Sequence, residues 1–201
     1  MVNPVITPSS ISHIDAALIF AISGHRWLAD IVTVTERCIP IFNTSRQKGT
    51  LLTGLAEGAD QLIAEIALDS DWRVEAILPM PLAEYEKDFT KPDALFHFRE
   101  LLTRCHHIIE IPLATTVDND IQATSTSRNG VIRQQQYRNL GRYLVEHAQT
   151  MLLLWDGDTT APKPGGTTEV KLMCDTAFAR LNDPSWHGVR QMIHIPVQRA
   201  K

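Results

Sequence analysis

Short, nearly unbroken apolar runs alternate with segments of helical periodicity along this chain. Runs of strand length occupy residues 17–22, 50–53, 74–78, 107–111, 151–155 and 191–197. Apolar side chains recur at helical spacing in 27–38, 59–69, 94–105, 131–148 and 168–180. Strands buried on both faces read as continuous apolar runs, and strands that alternate with helices build parallel sheets through right-handed crossovers. The pattern predicts an α/β fold, a three-layer sandwich with a mainly parallel sheet.

The whole chain of 201 residues is predicted to form one domain. Residues 1–14 contain prolines and serines and are interpreted as a loose lead-in. Residues 114–129 are rich in Thr, Ser, Asn and Asp, which favours a mobile loop. No internal repeat and no linker between two halves is evident in the sequence, so a single unit is expected.

Composition and charge narrow the classes of partner. The formal net charge of −4 speaks against a nucleic-acid binder, which usually presents a basic face, but it leaves room for a small phosphate ligand held by backbone amides. Three widely spaced cysteines fit reduced, mostly buried thiols and no metal spacing. The apolar run at 17–22 is too short for a membrane helix. We therefore expect a cytoplasmic protein that does not engage a membrane.

Three loops that follow predicted strands carry the candidate chemistry. The carboxyl ends of parallel strands share one edge of the sheet, where ligands usually bind. Glycine permits positive φ and close approach, and the first turn of the next helix offers free amides and a positive dipole end to an anion. Plain strand-to-helix connections often contain glycine too. The predicted ligand-binding residues are Ser23, Gly24, His25, Arg26, Thr53, Gly54, Leu55, Gly58, Ala59, Asp60, Gly165, Gly166 and Thr167.

Other residues are weaker candidates. Tyr85 and Asp88 follow a proline-rich strand exit and form either a wall for the ligand or an ordinary packed loop. Asp156 and Glu169 are candidate acids for chemistry at a glycosidic bond. The pair His106-His107 lacks companion acids, so no metal site is predicted. No cofactor is predicted apart from a nucleotide-like ligand.

The glycine turns resemble a known group of proteins. Thr53-Gly54-Leu55-Ala56-Glu57-Gly58-Ala59-Asp60 resembles a turn of the SLOG superfamily of Rossmann-like domains, which includes the DNA-processing protein A (Smf) family and the "Lonely guy" phosphoribohydrolases. Pro164-Gly165-Gly166-Thr167-Thr168-Glu169 resembles a turn of the phosphoribohydrolases, although here Thr167 follows Gly166 directly and their paired arginine motif has no clear match. The resemblance spans about residues 17–197. It implies a nucleotide or nucleotide derivative as ligand.

Three functions stay open at this point. The first is a nucleotide-binding or sensing domain without turnover, with a phosphate site on the two glycine-rich turns 53–60 and 164–167. The second is a hydrolase that cleaves the N-glycosidic bond of a nucleotide, as the resemblance implies. The third, a single-stranded DNA binder, is disfavoured by the acidic balance. A homodimer or larger homo-oligomer is also expected, because the predicted helix 131–148 carries Tyr137, Leu140, Tyr143, Leu144 and Val145.

Overall fold

The computed structural model describes residues 18–44, 48–113, 130–160 and 162–200. The predicted lead-in 1–14 and the predicted loop 114–129 lie outside these residues. The described chain contains six strands and six α-helices, with two of the helices between the third and fourth strands. They are β1 (Ile19–Gly24), α1 (Ile31–Asn43), β2 (Thr50–Thr53), α2 (Ala59–Asp69), β3 (Arg73–Leu78), α3 (Leu82–Tyr85), α4 (Pro92–Arg104), β4 (His107–Glu110), α5 (Val131–His147), β5 (Thr150–Trp155), α6 (Thr167–Phe178) and β6 (Gln191–Pro196).

The six strands form one sheet in the order β4-β3-β2-β1-β5-β6. Every neighbouring pair is parallel. The strand order therefore reverses between β1 and β5: from β1 the chain builds outward to β4 and then returns to the other side of β1. The prediction of a three-layer, Rossmann-like α/β sandwich with a mainly parallel sheet is confirmed.

Apolar side chains alternate between two cores, one on each face of the sheet. Phe20 and Ile22 of β1 point into a core shared with α1, α2 and α4. Ala21 of β1 points into the other core, which is built with α5 and α6. Strand β5 is buried along its whole length, as expected for a strand covered on both faces. The two helical layers thus leave the carboxyl edge of the sheet as the place where loops meet.

Two local features differ from the sequence-based expectation. Helix α1 begins at Ile31 rather than near Trp27, because the Asp30 side chain caps it by accepting the Thr33 N–H. The segment after Pro81 forms α3 and a 3-10 helix, Glu86–Asp88, where the sequence pattern indicated only an irregular exit from a strand. The first difference arises from short-range capping, which hydrophobic periodicity does not report.

Two further expectations bear on the surface of the protein. Among the described residues, no helix combines the length and the apolar character needed to cross a membrane. Within α5, Leu140, Leu144 and Val145 are buried in the protein's own core, whereas Tyr137 and Tyr143 are half-buried. Much of the apolar surface that suggested self-association is therefore already covered inside one chain.

Candidate functional site

A cavity of about 510 Å³ opens where the strand order reverses, at the carboxyl ends of β1 and β5. Ligands of open α/β sheets bind at this kind of switch point, and pockets for small molecules span roughly 300–1,000 Å³. The turn after β1, the turn before α6 and one face of α5 form its walls. The fold and this cleft define the protein as a parallel α/β protein with a ligand-sized site at its topological switch point.

The turn after β1 forms one wall of the cavity, and it passes very close to the neighbouring segments. A Cβ atom at Gly24 would lie 2.4 Å from the Ala59 Cβ and 2.7 Å from the Leu154 carbonyl oxygen. The His25 N–H donates to that same Leu154 oxygen at 2.9 Å, which continues the β1–β5 pairing past the strand end. Glycine at this position lets β1, α2 and β5 meet, and Ser23, Gly24, His25 and Arg26 all line the cavity.

The turn before α6 supplies the opposite wall. Gly165 has a φ of +68°, and a Cβ atom there would lie 2.2 Å from the Tyr137 Cβ of α5. Gly166 is the N-cap of α6, and the Ser23 and Thr167 hydroxyls meet across the cleft at 3.4 Å. Within the described part of the chain, the N–H groups of Thr167 and Thr168 have no protein acceptor. These free amides and the positive end of the α6 dipole point to an anion subsite.

The turn at 53–60 contributes less to the cavity than its sequence suggests. Three of its amides are used within the protein: the Leu55 N–H donates to the Thr53 hydroxyl, the Ala59 N–H to the His25 carbonyl oxygen, and the Ala56 N–H to Asp60. Of this turn, only Ala56 and Asp60 line the cavity.

The glycines of the same turn serve close packing. At Gly58, where φ is +95°, a Cβ atom would lie 2.1 Å from the Arg26 carbonyl oxygen. At Gly54, it would lie 2.8 Å from Leu140 of α5. The turn therefore supports the Ser23–Arg26 wall from behind, and the structure brings Gly165 and Gly166 to the cavity but not Gly54 or Gly58.

Asp60 is the buried carboxyl of the cavity. Its exposed fraction is only 8%, and burial raises its pKa to about 7, although hydrogen bonds from the turn and the nearby Arg26 lower it. A carboxyl group that titrates near neutrality inside a cleft is a common property of functional sites. The Ala56 N–H occupies one acceptor position at 3.3 Å, and a carboxylate has further lone pairs for a ligand.

Three cationic side chains line the cavity: Arg26, Lys163 and Arg199. The sequence analysis missed Lys163 and Arg199. Arg199 reaches the site because Leu28 and Arg199 form an antiparallel bridge beside β1. Only the long-range pairing of residues near the two ends of the described chain reveals it, and no local motif marks it. The protein is acidic overall, so these cations make the cleft electrostatically distinct from its surroundings.

His25 is held in a small polar cluster at the rim. Its Nε2 accepts the Asp156 backbone N–H at 3.0 Å and the Arg199 Nε–H at 3.2 Å. Burial lowers the pKa of His25, and the nearby Arg199 lowers it further, which outweighs the attraction of Asp156. His25 therefore favours the neutral form more than a free imidazole does, and its Nε2 also lies 3.1 Å from the Asp156 Oδ2. These contacts hold His25 beside Arg199 and Asp156.

The two candidate acids are engaged by different partners. Asp156 pairs with Arg199 at 3.0 Å; partial burial would raise its pKa, but the Asp158 N–H, His25 and Arg199 lower it overall. Glu169 accepts the Arg138 Nε–H at 2.9 Å and the Gly165 N–H, so it closes the turn before α6. Each carboxylate thus has a stabilising function, and neither lines the cavity.

Tyr85 and Asp88, the expected ligand wall, lie behind the cavity. Tyr85 is fully buried and donates its hydroxyl to the Gly54 carbonyl oxygen at 2.9 Å. Asp88 accepts hydrogen bonds from Tyr137 and Arg133. His106 is likewise used internally, since its Nδ1 accepts the Val74 N–H. No cluster of three metal-ligating side chains occurs among the residues for which the structure gives a position.

Comparison of the sequence with protein-family models and with curated proteins finds no match. The function is therefore inferred from the geometry of the cleft. The cleft has free amides and Lys163 at its α6 side and the buried Asp60 carboxyl at its α2 side, and Arg26 and Arg199 also line it.

Proposed function

We propose that this domain binds a nucleotide or a nucleotide derivative in the switch-point cavity, with a phosphate at the N-terminus of α6. The free N–H groups of Thr167 and Thr168, the two hydroxyls beside them and Lys163 suit a phosphate group. The resemblance of the glycine turns to SLOG domains supports the same ligand class. The observation that carries the proposal is the convergence of these donors with three cations on one cavity of nucleotide size.

The rest of the cavity suits the remainder of such a ligand. Leu140 and Leu144 of α5 and Val170 of α6 give an apolar surface for a base. Asp60 offers a buried acceptor for a ribose hydroxyl or a base amino group. In a parallel sheet, the helices that follow β2 and β5 start roughly 10 Å apart, because one strand lies between them. A phosphate and a sugar or base span that distance.

Lys163→Gln is the variant that tests the phosphate site. Lys163 is exposed, so its loss is expected to leave the fold intact and to weaken nucleotide binding roughly three- to tenfold through one lost charge-assisted contact. The measurement is calorimetric titration of a panel of ribonucleoside monophosphates and diphosphates. Lys48→Gln is the matched control, because Lys48 is also exposed but precedes β2 at the opposite edge of the sheet.

The proposal makes distinct predictions for the two variants. Binding by the wild-type protein and by Lys48→Gln, with weaker binding by Lys163→Gln, supports it. If no nucleotide of the panel binds the wild-type protein, the proposed function is wrong. Equal affinity in all three proteins places the phosphate elsewhere.

Hydrolysis of the ligand's N-glycosidic bond is a second candidate function, and one observation favours it. The Asp60 carboxyl lies in the cavity with a pKa of about 7, so it is able to accept or donate a proton near neutrality. Incubation with each bound nucleotide, followed by chromatography for free base, separates the two functions. Release of base that is lost in Asp60→Asn supports a hydrolase, whereas tight binding without release supports a sensor.

Self-association of the domain also stays a proposal. Tyr143 of α5 is half-buried and Val131 is exposed, so these side chains remain available for a contact between two copies. Light scattering at micromolar protein concentration checks it, and a monomeric mass counts against it.

A further inference from the structure

A chain of hydrogen bonds leads from the cavity to a buried ion pair. The Arg26 Nη2–H donates to the Tyr137 hydroxyl oxygen at 3.3 Å, and that hydroxyl donates to Asp88 Oδ2. Asp88 in turn accepts the Arg133 Nε–H at 3.0 Å. The Arg133 Nη2–H donates to the Glu84 carbonyl oxygen at 2.6 Å. Four side chains from three segments are thus connected in series.

The inner end of this chain is fixed, whereas its outer end faces solvent. The side chains of Arg133 and Asp88 are 2% and 8% exposed, so their geometry is set by packing. The Arg26 side chain lies on the surface, where a long flexible cation samples many rotamers unless a partner holds it. Tyr137 lies between the two, and its ring packs edge-on against the buried Tyr85. It therefore connects Arg26 to the buried Asp88.

Tyr137 is suited to this role chemically. Burial raises the pKa of its hydroxyl, and the negative charge of Asp88 raises it further, so the group stays protonated at all ordinary pH values. A protonated hydroxyl has one hydrogen to donate and lone pairs to accept. Asp88 takes the hydrogen, and a lone pair is therefore left for the Arg26 guanidinium.

We propose that Tyr137 is a positioning residue that holds the Arg26 guanidinium over the cavity, so that Arg26 receives an anionic group of the ligand. This role rests on the proposed nucleotide function. A guanidinium presents two parallel N–H donors to a phosphate or carboxylate, and prior orientation reduces the entropy lost on binding. Arg26 thus supplies a second anion contact, separate from the α6 N-terminus. Two such contacts favour ligands with more than one phosphate group, or with one phosphate and one carboxylate.

The binding test compares Tyr137→Phe, Arg26→Gln and the double variant by calorimetry with ribonucleoside diphosphates. Tyr137→Phe keeps the ring and removes the hydroxyl, and we expect it to weaken binding by between about twofold and tenfold. In the Arg26→Gln background the same change is expected to have no effect. Tyr143→Phe is the control, because Tyr143 also lies on α5 but stacks on His147 away from the cavity. An undiminished effect of Tyr137→Phe without Arg26 overturns the proposal, since it shows a direct contact with the ligand.

A second measurement needs no ligand. The ¹⁵N relaxation of the Arg26 Nε–H is expected to report an ordered side chain in the wild-type protein and in Tyr143→Phe. In Tyr137→Phe its order parameter is expected to fall below about 0.6. An equally ordered Arg26 in Tyr137→Phe overturns the proposal. Absence of nucleotide binding in the wild-type protein refutes the proposed function instead, and the relaxation data still decide what holds Arg26.

Discussion

Asp60 illustrates how one residue acquires two functions from its position. As the second residue of α2, it caps the glycine turn by accepting the Ala56 N–H, and it also lines the cavity. Its burial is the reason that its pKa is raised to about 7 despite those hydrogen bonds. A carboxyl group that keeps its proton to a higher pH in the folded state than in the unfolded state makes the free energy of unfolding depend on pH.

The sign of this dependence is fixed by the direction of the shift. Between about pH 4 and pH 7 the folded protein keeps the Asp60 proton while the unfolded chain has lost it, so the contribution of Asp60 to the free energy of unfolding falls as pH rises. The shift from 3.8 to about 7 corresponds to a loss of up to roughly 4 kcal/mol across this window. Asp60→Asn removes the titration. Relative to wild type, the variant should therefore gain stability between pH 4 and pH 8.

Urea unfolding of both proteins at several pH values measures this difference. Comparison of the variant with wild type cancels the opposite contribution of His25, whose lowered pKa makes stability rise with pH. Parallel stability curves for the two proteins contradict the raised pKa of Asp60.

At the scale of elements, the cleft depends on backbone segments that approach each other too closely for a side chain. The turn before α2 touches the turn after β1 at Gly58, and the turn before α6 touches α5 at Gly165. Both positions also have positive φ. The walls of the site are therefore held by close contacts of one turn with another turn and of one turn with a helix, and their spacing is sensitive to a single methyl group.

Gly58→Ala is compared with Gly157→Ala, a change at another glycine with positive φ but with open space around it. Gly157 has a similar φ of +82°, but a Cβ atom there meets only the His194 ring at 3.8 Å. We expect Gly157→Ala to lower the free energy of unfolding by about 1–2 kcal/mol through backbone strain. Gly58→Ala should cost a further ~1–3 kcal/mol, because its Cβ would lie 2.1 Å from the Arg26 carbonyl oxygen. Chemical denaturation measures both, and equal losses would indicate that the two turns separate easily.

The sequence predicted elements better than it predicted the site. Strands such as Thr50–Thr53 and the helix Ala59–Asp69 were predicted to the residue, because apolar runs and glycine turns are local signals. The prediction that the turns lie at one edge of the sheet followed from the predicted parallel topology. Arg199 and the Arg133–Asp88 pair were missed, since each depends on residues distant in sequence. The role of Gly58 in packing could not be predicted either. In a sequence, a glycine that allows a ligand to approach is indistinguishable from one that allows a carbonyl group to approach.

At the scale of the whole molecule, one ion pair joins the two helical layers around the end of the sheet. Arg133 belongs to α5, which covers one face, and Asp88 follows α3, whose Tyr85 packs into the core on the other face. Both charges are almost completely buried, so each depends on the other for solvation. The pair therefore fixes the relative position of the layers beside the cavity.

Arg133→Met is expected to lower the free energy of unfolding by about 3–5 kcal/mol, because it leaves the Asp88 carboxylate buried and without its cation. The double variant Arg133→Met/Asp88→Leu should recover most of this loss, since both charges are then gone. Arg104→Met, which breaks an exposed pair with Asp69, should change stability by less than about 1 kcal/mol. Thermal and urea unfolding measure all three variants, and a small loss in Arg133→Met would show that water reaches Asp88.

The strand order also determines when the cleft comes into existence as the chain folds. Strand β1 pairs with β5 in a register that joins Phe20 to Thr150, so the two strands at the cavity are separated by most of the sequence. Strands β1 to β4 are synthesised first and are neighbours in the finished sheet, and one edge of β1 has no partner until β5 is made. Closing so long a loop is slow and entropically costly. Because the cavity needs both the turn after β1 and the N-terminus of α6, a ligand bound there would stabilise only chains in which β5 and α6 have already packed against β1.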